Sequence, residues 1–200
     1  MRFGTVSDPI ALRLGHVLVA PAERHPQITL QLQAGLSSNL LTALQRGELD
    51  CAYAMTDLGG DGRPANPPPG RGGPGRGAAA HAGRAWHAAH AARADRPALV
   101  GTPTHCVLRR YLDALFASTG REYQEGMLAD TEGSVRSMVA SGLGAGIVRP
   151  DQAQQAERNG ELAIWPGWRA HTWICFASPP EAQVSPAVAA VRSAVQEAWA

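Results

Sequence analysis

Residues 23–55, ERHPQITLQLQAGLSSNLLTALQRGELDCAYAM, decide the fold. Ile28 to Gln33 alternates apolar and polar residues, the two-residue period of a strand with one face buried. Ser37 or Ser38 is expected to cap a helix that carries Leu40, Leu41 and Leu44 and is closed by Gly47. Leu49 to Met55 reads as a further strand. Upstream, Arg2 to Val6 is a short strand, and Asp8-Pro9 opens a helix with Ser7 or Asp8 as N-cap and Pro9 at its first position. Ile10, Leu14, Val17 and Leu18 give that helix its buried face. Pro21 lacks a backbone donor and is expected to end or kink the last turn. The order βαβαβ within 55 residues predicts a parallel sheet with right-handed crossovers.

The same grammar returns in the second half. Leu99-Val100 leads through a Gly-Thr-Pro-Thr loop into a helix carrying Leu108, Tyr111, Leu112, Leu115 and Phe116, stopped by Gly120. Tyr123 to Ala129 is read as a strand, Glu132 to Ser141 as a helix, and Ala145 to Val148 as a short buried strand. A polar helix spans Asp151 to Arg158. Leu162–Trp165 and Thr172–Ala177 are expected to be two strands. A last helix starts at Ser185-Pro186 and lines up Val188, Val191, Val195 and Trp199. The fold class is α/β in two lobes.

Between these halves the composition breaks. Residues 59–97 contain 11 Ala, 9 Gly, 6 Arg and 6 Pro among 39 residues, and no Leu, Ile, Val, Phe, Met or Tyr. A stretch without large aliphatic side chains buries too little surface to offset its ordering entropy. Its Gly/Pro half, to residue 77, is expected to be irregular, and the Ala/His half, 78–95, suits a helix only methyl-deep on its apolar face. The organisation expected is therefore a first lobe at 1–58, to which the end of the chain returns, an anomalous segment at 59–97, and a second lobe with the C-terminal helix at 98–200. The 6 Arg and 2 Asp of the segment leave 12 Arg against 15 acidic residues elsewhere, so the total of +1 averages a basic insert and a mildly acidic domain. Neither balance suits a nucleic-acid surface. No apolar run reaches a membrane span, and the N-terminus has no apolar core of a signal peptide.

The catalytic and metal motifs are missing. Cys51, Cys106 and Cys175 form no CxxC; Cys51 and Cys175 read as buried strand residues, and Cys106 lies beside the Thr102–Thr104 loop. His87 and His90 would share a helical face but lack the glutamate of a metalloprotease helix. His105 and Cys106 are sequence neighbours and would point apart on a helix. No catalytic residue, metal or cofactor is assigned. In open parallel sheets ligands bind where strands end and helices begin, and helix N-termini there attract anions. The loops in that position are Ser7-Asp8, Ser37-Ser38, Thr102-Pro103-Thr104 and Thr131-Glu132. Each is also an ordinary N-cap taken singly, and only their convergence would make a site.

RFGTVSDP, ERHPQITLQLQAG and SSNLLTALQRGELDCAYAM together resemble the first lobe of the effector-binding domain of LysR-type transcriptional regulators. SVRSMVASGLGAGIVRP is similar to the family's glycine-rich segment in the second lobe. The resemblance covers residues 2–57 and 99–199. It implies a two-lobed domain like the type 2 periplasmic binding proteins, with parallel-type sheets and an effector cleft between the lobes. It places Ser7 and Asp8 on the loop after the first strand, Ser37 and Ser38 at the start of the second helix, and Thr102 and Thr104 along the cleft from the second lobe; Thr131 is a candidate from its helix start alone. It implies a cytoplasmic homo-oligomer, dimer or tetramer, that binds a small polar or anionic molecule and has no membrane contact. The family's winged helix-turn-helix does not appear in these residues, so DNA would be reached only through such a missing N-terminal domain, and the chain is expected to be a truncated regulator. A solute-binding protein of a transport system, or a regulator remnant without function, is the alternative. The anomalous segment falls where the family has its lobe crossover and the first strand of the second lobe, leaving open whether that lobe is disrupted. Gly, Ala, Arg and Pro are the residues with the most GC-rich codons, and in a chain without lysine this points to a stretch of a GC-rich gene read out of frame, restored before Leu99; a genuine low-complexity linker is the competing reading.

Overall fold

The computed structural model describes residues 1–6, 12–56, 79–90, 98–119, 123, 125–180 and 183–199. The chain divides into two compact units, Met1–Gly83 with Trp173–Ala200, and Arg84–Thr172. In the first unit β1 (Arg2–Thr5) lies between β2 (Gln31–Ala34) and β3 (Cys51–Thr56), parallel to both. The helices α1 (Leu14–Arg24) and α2 (Ser37–Gln45) make the crossovers, as the βαβαβ order requires. On its other side β3 pairs antiparallel with the end of β8 (Ala163–Ala177), Ala52 opposite Ala177 and Thr56 opposite Trp173. The chain then closes the unit with α6 (Pro186–Trp199), which packs against α1.

The core of this unit follows from the central strands. All six residues of β3 are buried, as are Phe3, Ile174, Cys175 and Phe176. Phe3, Tyr53 and Phe176 form an aromatic cluster with ring centroids 5.5, 5.9 and 6.1 Å apart. The Tyr53 hydroxyl, buried among them, accepts a hydrogen bond from Trp199 Nε1 at 3.2 Å. Burial, more than this bond, pushes the Tyr53 phenol up to about 12. Leu40, Ala43, Leu49 and Ala52 fill the space between α2 and the sheet.

In the second unit the strand order is β4-β7-β5-β6. β5 (Leu99–Gly101) runs parallel to both β6 (Glu125–Leu128) and β7 (Ala145–Val148), and β4 (Ala79–His90) is antiparallel to β7. Three helices accompany them: α3 (Val107–Thr119), α4 (Glu132–Ala140) and α5 (Pro150–Arg158). Val100, Ala129, Val135, Val139, Val148, Ala153, Ala156 and Leu162 form the core. Gly146 is required there, because a Cβ would come within 2.8 Å of Val135 Cγ1.

Several expectations are corrected. α1 passes through Pro21 and continues to Arg24, since a proline near the end of a helix removes only one of the last bonds. The described part of α1 starts after Arg13, which adopts a left-handed backbone with φ of 52°; Ile10 and the proposed N-caps Ser7 and Asp8 lie outside the described residues. Neither Ser37 nor Ser38 caps α2: the N-cap is Leu36, and both serines lie inside the first turn. The strand expected at 28–33 is β2, shifted to Gln31–Ala34 and fully exposed, because it is a sheet edge. The two strands expected at 162–165 and 172–177 are one, β8. The Ala/His stretch expected to suit a helix has, over Ala79–His90, the backbone of a strand, the neighbour of β7 supplying hydrogen bonds that outweigh alanine's helix propensity. His87 and His90 therefore have no helical spacing. The irregular structure expected for 59–77 lies outside the described residues.

Candidate functional site

Among its described residues the first unit offers one candidate position, the start of α2. Ser37 is buried, and its Oγ accepts a hydrogen bond from the Met55 backbone N–H at 2.9 Å. This oxygen ties the helix to β3 and is used up by the fold. Ser38 differs: its Oγ is shielded from solvent and has no hydrogen-bond partner. α2 carries no side-chain cap and no acidic residue in its first turn, so its backbone N–H groups and dipole are not neutralised by the protein.

The second unit gathers three helix starts at the carboxyl ends of parallel strands. β5 leads through Thr102–Cys106 into α3, β6 through Ala129–Thr131 into α4, and β7 through Arg149 directly into α5. The first two loops are adjacent, since Ala129 N–H donates to Gly101 O at 3.0 Å. The three starts are not equivalent.

At α4, Thr131 Oγ1 accepts from Ser134 N–H at 3.1 Å and lies 2.7 Å from Ser134 Oγ, and Glu132 stands in the first turn. At α5, Asp151 stands in the first turn beside a buried guanidinium, Arg149, only 4% exposed. Arg149 Nε and Nη2 donate to Asp151 at 2.7 and 2.9 Å, and Nε lies 3.2 Å from Glu132. These two helix ends already carry negative charge. At α3 the first turn has no acidic residue, and Thr102, 6% exposed, has an Oγ1 without a hydrogen-bond partner. Thr104 lies two residues further along the same loop and is exposed.

The sequence-derived positions thus sort by what their oxygens already do. Ser38 and Thr102 hold buried hydroxyls that the protein leaves unsatisfied, Ser37 and Thr131 spend theirs on the fold, and Thr104 is open to solvent. Ser7 and Asp8 lie outside the described residues. Sequence reasoning missed Arg149 and Arg109, and placed Glu132 at a candidate loop without its buried arginine partner. A lone arginine ending the apolar strand AGIVRP was the signal for the first, because a buried guanidinium demands carboxylate partners. Among the described residues no group of three His, Cys, Asp or Glu is placed to hold a metal ion. Cys51, Cys106 and Cys175 are all buried free thiols, and burial raises the thiols of Cys51 and Cys175, the latter to about 11.

Each unit has a helix start beside an unsatisfied hydroxyl, Ser38 in the first and Thr102 in the second, which by itself names no family; a sequence profile does. That of the LysR substrate binding domain matches residues 78–200, more than half of the chain. The chain belongs to this family. The fold agrees. The effector binding domain of QuiR, in complex with shikimate, superposes with a TM-score of 0.72 at 14% identity, covering 100% of this chain and 96% of that one. The CcmR regulatory domain of Synechocystis, in complex with 2-PG, gives 0.73 at 10% identity, covering 100% and 96%. The apo regulatory domain of HypT from Salmonella typhimurium gives 0.71 at 10% identity, covering 98% and 93%. No curated protein matches the chain in sequence. The LysR profile begins at residue 78 and takes in β4, so the family match extends into the alanine-rich part of the compositional break. No helix among the described residues is long and apolar enough to cross a membrane.

Proposed function

We propose that this LysR substrate-binding domain is the effector-sensing part of a transcriptional regulator and binds a small polar or anionic molecule without transforming it. The observation that carries this reading is a shielded, unsatisfied hydroxyl in each unit, Ser38 Oγ in the first and Thr102 Oγ1 in the second, each beside a helix whose own first turn holds no acidic residue. Leaving a buried hydroxyl unpaired costs about 1–3 kcal/mol, a cost that a ligand's acceptor or donor would remove. Anions gain further from the helix dipoles. The two related domains bound to shikimate and to 2-PG support a small, highly polar ligand.

Like the family, the domain is proposed to work in the cytoplasm as a homo-oligomer and, as part of a truncated regulator, to reach DNA only through a winged helix-turn-helix that these residues do not contain. The edge strands favour self-association. Leu30 and Leu32 beside or on β2 and Val19 on α1 are exposed in the first unit, and Met127 and Leu128 on β6 in the second. Apolar edge strands left open are templates for pairing. Light scattering at micromolar concentration tests this; a monomer at all concentrations would remove the oligomer from the proposal.

The ligand reading is tested by thermal-shift screening of small carboxylates, phosphates and their neutral analogues, with Ser38→Ala and Thr102→Val alongside. At least one acid is expected to raise the melting temperature of the wild type, and at least one of the two variants to weaken its binding by about tenfold, the loss of one hydrogen bond to a charged ligand. Stabilisation by neutral analogues alone, or undiminished binding by both variants, would defeat the reading.

A further inference from the structure

Arg109 stands at the start of α3 and reaches four other parts of its unit. Its Nε donates to Asp113 Oδ1, one turn along the helix, at 2.9 Å. Its Nη1 donates both to Glu125 on β6 and to the Thr102 backbone carbonyl, the latter at 3.4 Å. The guanidinium lies 5.5 Å from the centre of the Tyr123 ring, and the Tyr123 hydroxyl donates to Asp113 at 2.5 Å. An ion pair that served only the helix surface would need Asp113 alone. The bond to Thr102 O does something else: it reaches back across the loop that carries the unsatisfied Thr102 hydroxyl and the exposed Thr104.

That loop is short and contains its own reporter. Cys106 N–H donates to Pro103 O at 2.8 Å, Cys106 O accepts from Arg109 N–H at 3.1 Å, and the cysteine is 6% exposed. Opening the loop would release Thr102 O from Nη1 and bring the Cys106 thiol to solvent. The guanidinium is suited to the task because its fork of rigid donors serves several acceptors at once, which an ammonium cannot match in geometry.

We propose that Arg109 is a positioning residue for the β5–α3 loop, holding Thr102–Thr104 in the conformation that presents the Thr102 hydroxyl to the effector. This rests on the reading of Thr102 as an effector contact. Asp113 and Tyr123 orient the guanidinium from one side, and Glu125 anchors it to the sheet. The loop is then set by β6, the strand whose other end leads to α4.

The test is the alkylation rate of each cysteine with iodoacetamide, read by mass spectrometry on the intact 200-residue chain. Arg109→Gln is expected to speed Cys106 labelling by about tenfold, the loss of charge-assisted hydrogen bonds from the closed loop. Cys51 and Cys175, in central strands, should label as in the wild type. Arg109→Lys should fall between the two, and Asp113→Asn, which leaves the bonds to Thr102 and Glu125 and weakens only one orienting contact, should speed labelling less than Arg109→Gln. Unchanged Cys106 labelling in Arg109→Gln overturns the proposal, as does equal acceleration of all three cysteines, which would mark general loosening. With an acid found by the thermal-shift screen, Arg109→Gln should also bind about tenfold more weakly. Faster Cys106 labelling with unchanged affinity would instead overturn the effector reading of Thr102 and leave Arg109 a latch without that role.

Discussion

The backbone N–H of Met55 donates to the side-chain oxygen of Ser37 across 18 residues of sequence, at 2.9 Å in a buried position. The bond locks the first turn of α2 onto the end of β3. It explains why two adjacent serines at one helix start have different duties, one structural and the other open to a ligand.

Replacing Ser37 by Ala should therefore strand a buried N–H and lower stability by about 1–3 kcal/mol, measured by urea denaturation. Ser38→Ala should change stability by a few tenths at most or raise it, because it removes an oxygen that is unsatisfied in the folded chain. Equal losses in the two variants would contradict the division of roles.

Arg149 should be the most sensitive charged residue of the second unit. Its guanidinium is buried between Glu132 at the start of α4 and Asp151 at the start of α5. Removing one partner of a buried ion pair leaves the other charge uncompensated. Arg149→Ala should cost about 3–5 kcal/mol, and Arg149→Met less, because methionine fills the volume while the carboxylate Glu132 protonates or rotates outward. Chemical denaturation curves read both. Near-neutral behaviour of Arg149→Ala would mean that water already reaches the pair.

The first unit carries a titrating contact at its edge. Burial alone would raise the Asp50 carboxyl, but the hydrogen bonds from the Arg2 guanidinium and backbone N–H, at 2.9 and 2.7 Å, outweigh it and hold the group below the ordinary carboxylate range. A carboxyl lowered in the folded state adds stability that is full above its unfolded pKa and is lost as pH falls through the lower, folded value. The pair is partly exposed, so solvent screening keeps its share small. Asp50→Asn should flatten that share of the fall in stability between pH 5 and pH 3, and an unchanged slope would show that Arg2 has no hold on the carboxylate.

The compositional break at 59–97 has a genetic test. We propose that it is read out of frame and that the frame is restored before Leu99; resequencing of the locus should then find an inserted or deleted base on each side. An uninterrupted frame reproducing the same residues would leave a genuine low-complexity segment. In that case the described part of it is β4, an alanine-rich strand paired with β7.

The elements with strong periodicity were legible from the residues alone. β3, α4, β7 and α6 lie within a residue or two of their expected bounds, because Leu, Ile and Val mark the buried face and Gly47 and Gly142 take the positive φ that ends a helix. What escaped was set by partners distant in sequence. Ser37 looks like a cap until Met55 claims its oxygen. β8 looks like two strands because Pro166 and Gly167 interrupt the apolar pattern, whereas the strand backbone continues through both. Thr131 was legible as a helix start but not as a spent oxygen, since its partner Ser134 is a side chain and a backbone group at once. Arg109 carried no signal at all. An arginine in a polar stretch of helix is common, and only folding brings Thr102, Glu125 and Tyr123 to it.

The first unit is discontinuous, Met1–Gly83 completed by Trp173–Ala200, whereas the second is one unbroken stretch, Arg84–Thr172. On the ribosome this imposes an order. The strands β2, β1 and β3 emerge early but lack both the β8 partner of β3 and the α6 partner of α1 until the last residues are made. The aromatic cluster of Phe3 and Tyr53 waits for Phe176, and the Tyr53 hydroxyl waits for Trp199. The later-synthesised unit can close first, and the N-terminal half remains the nascent chain's unfinished part until α6 has been made.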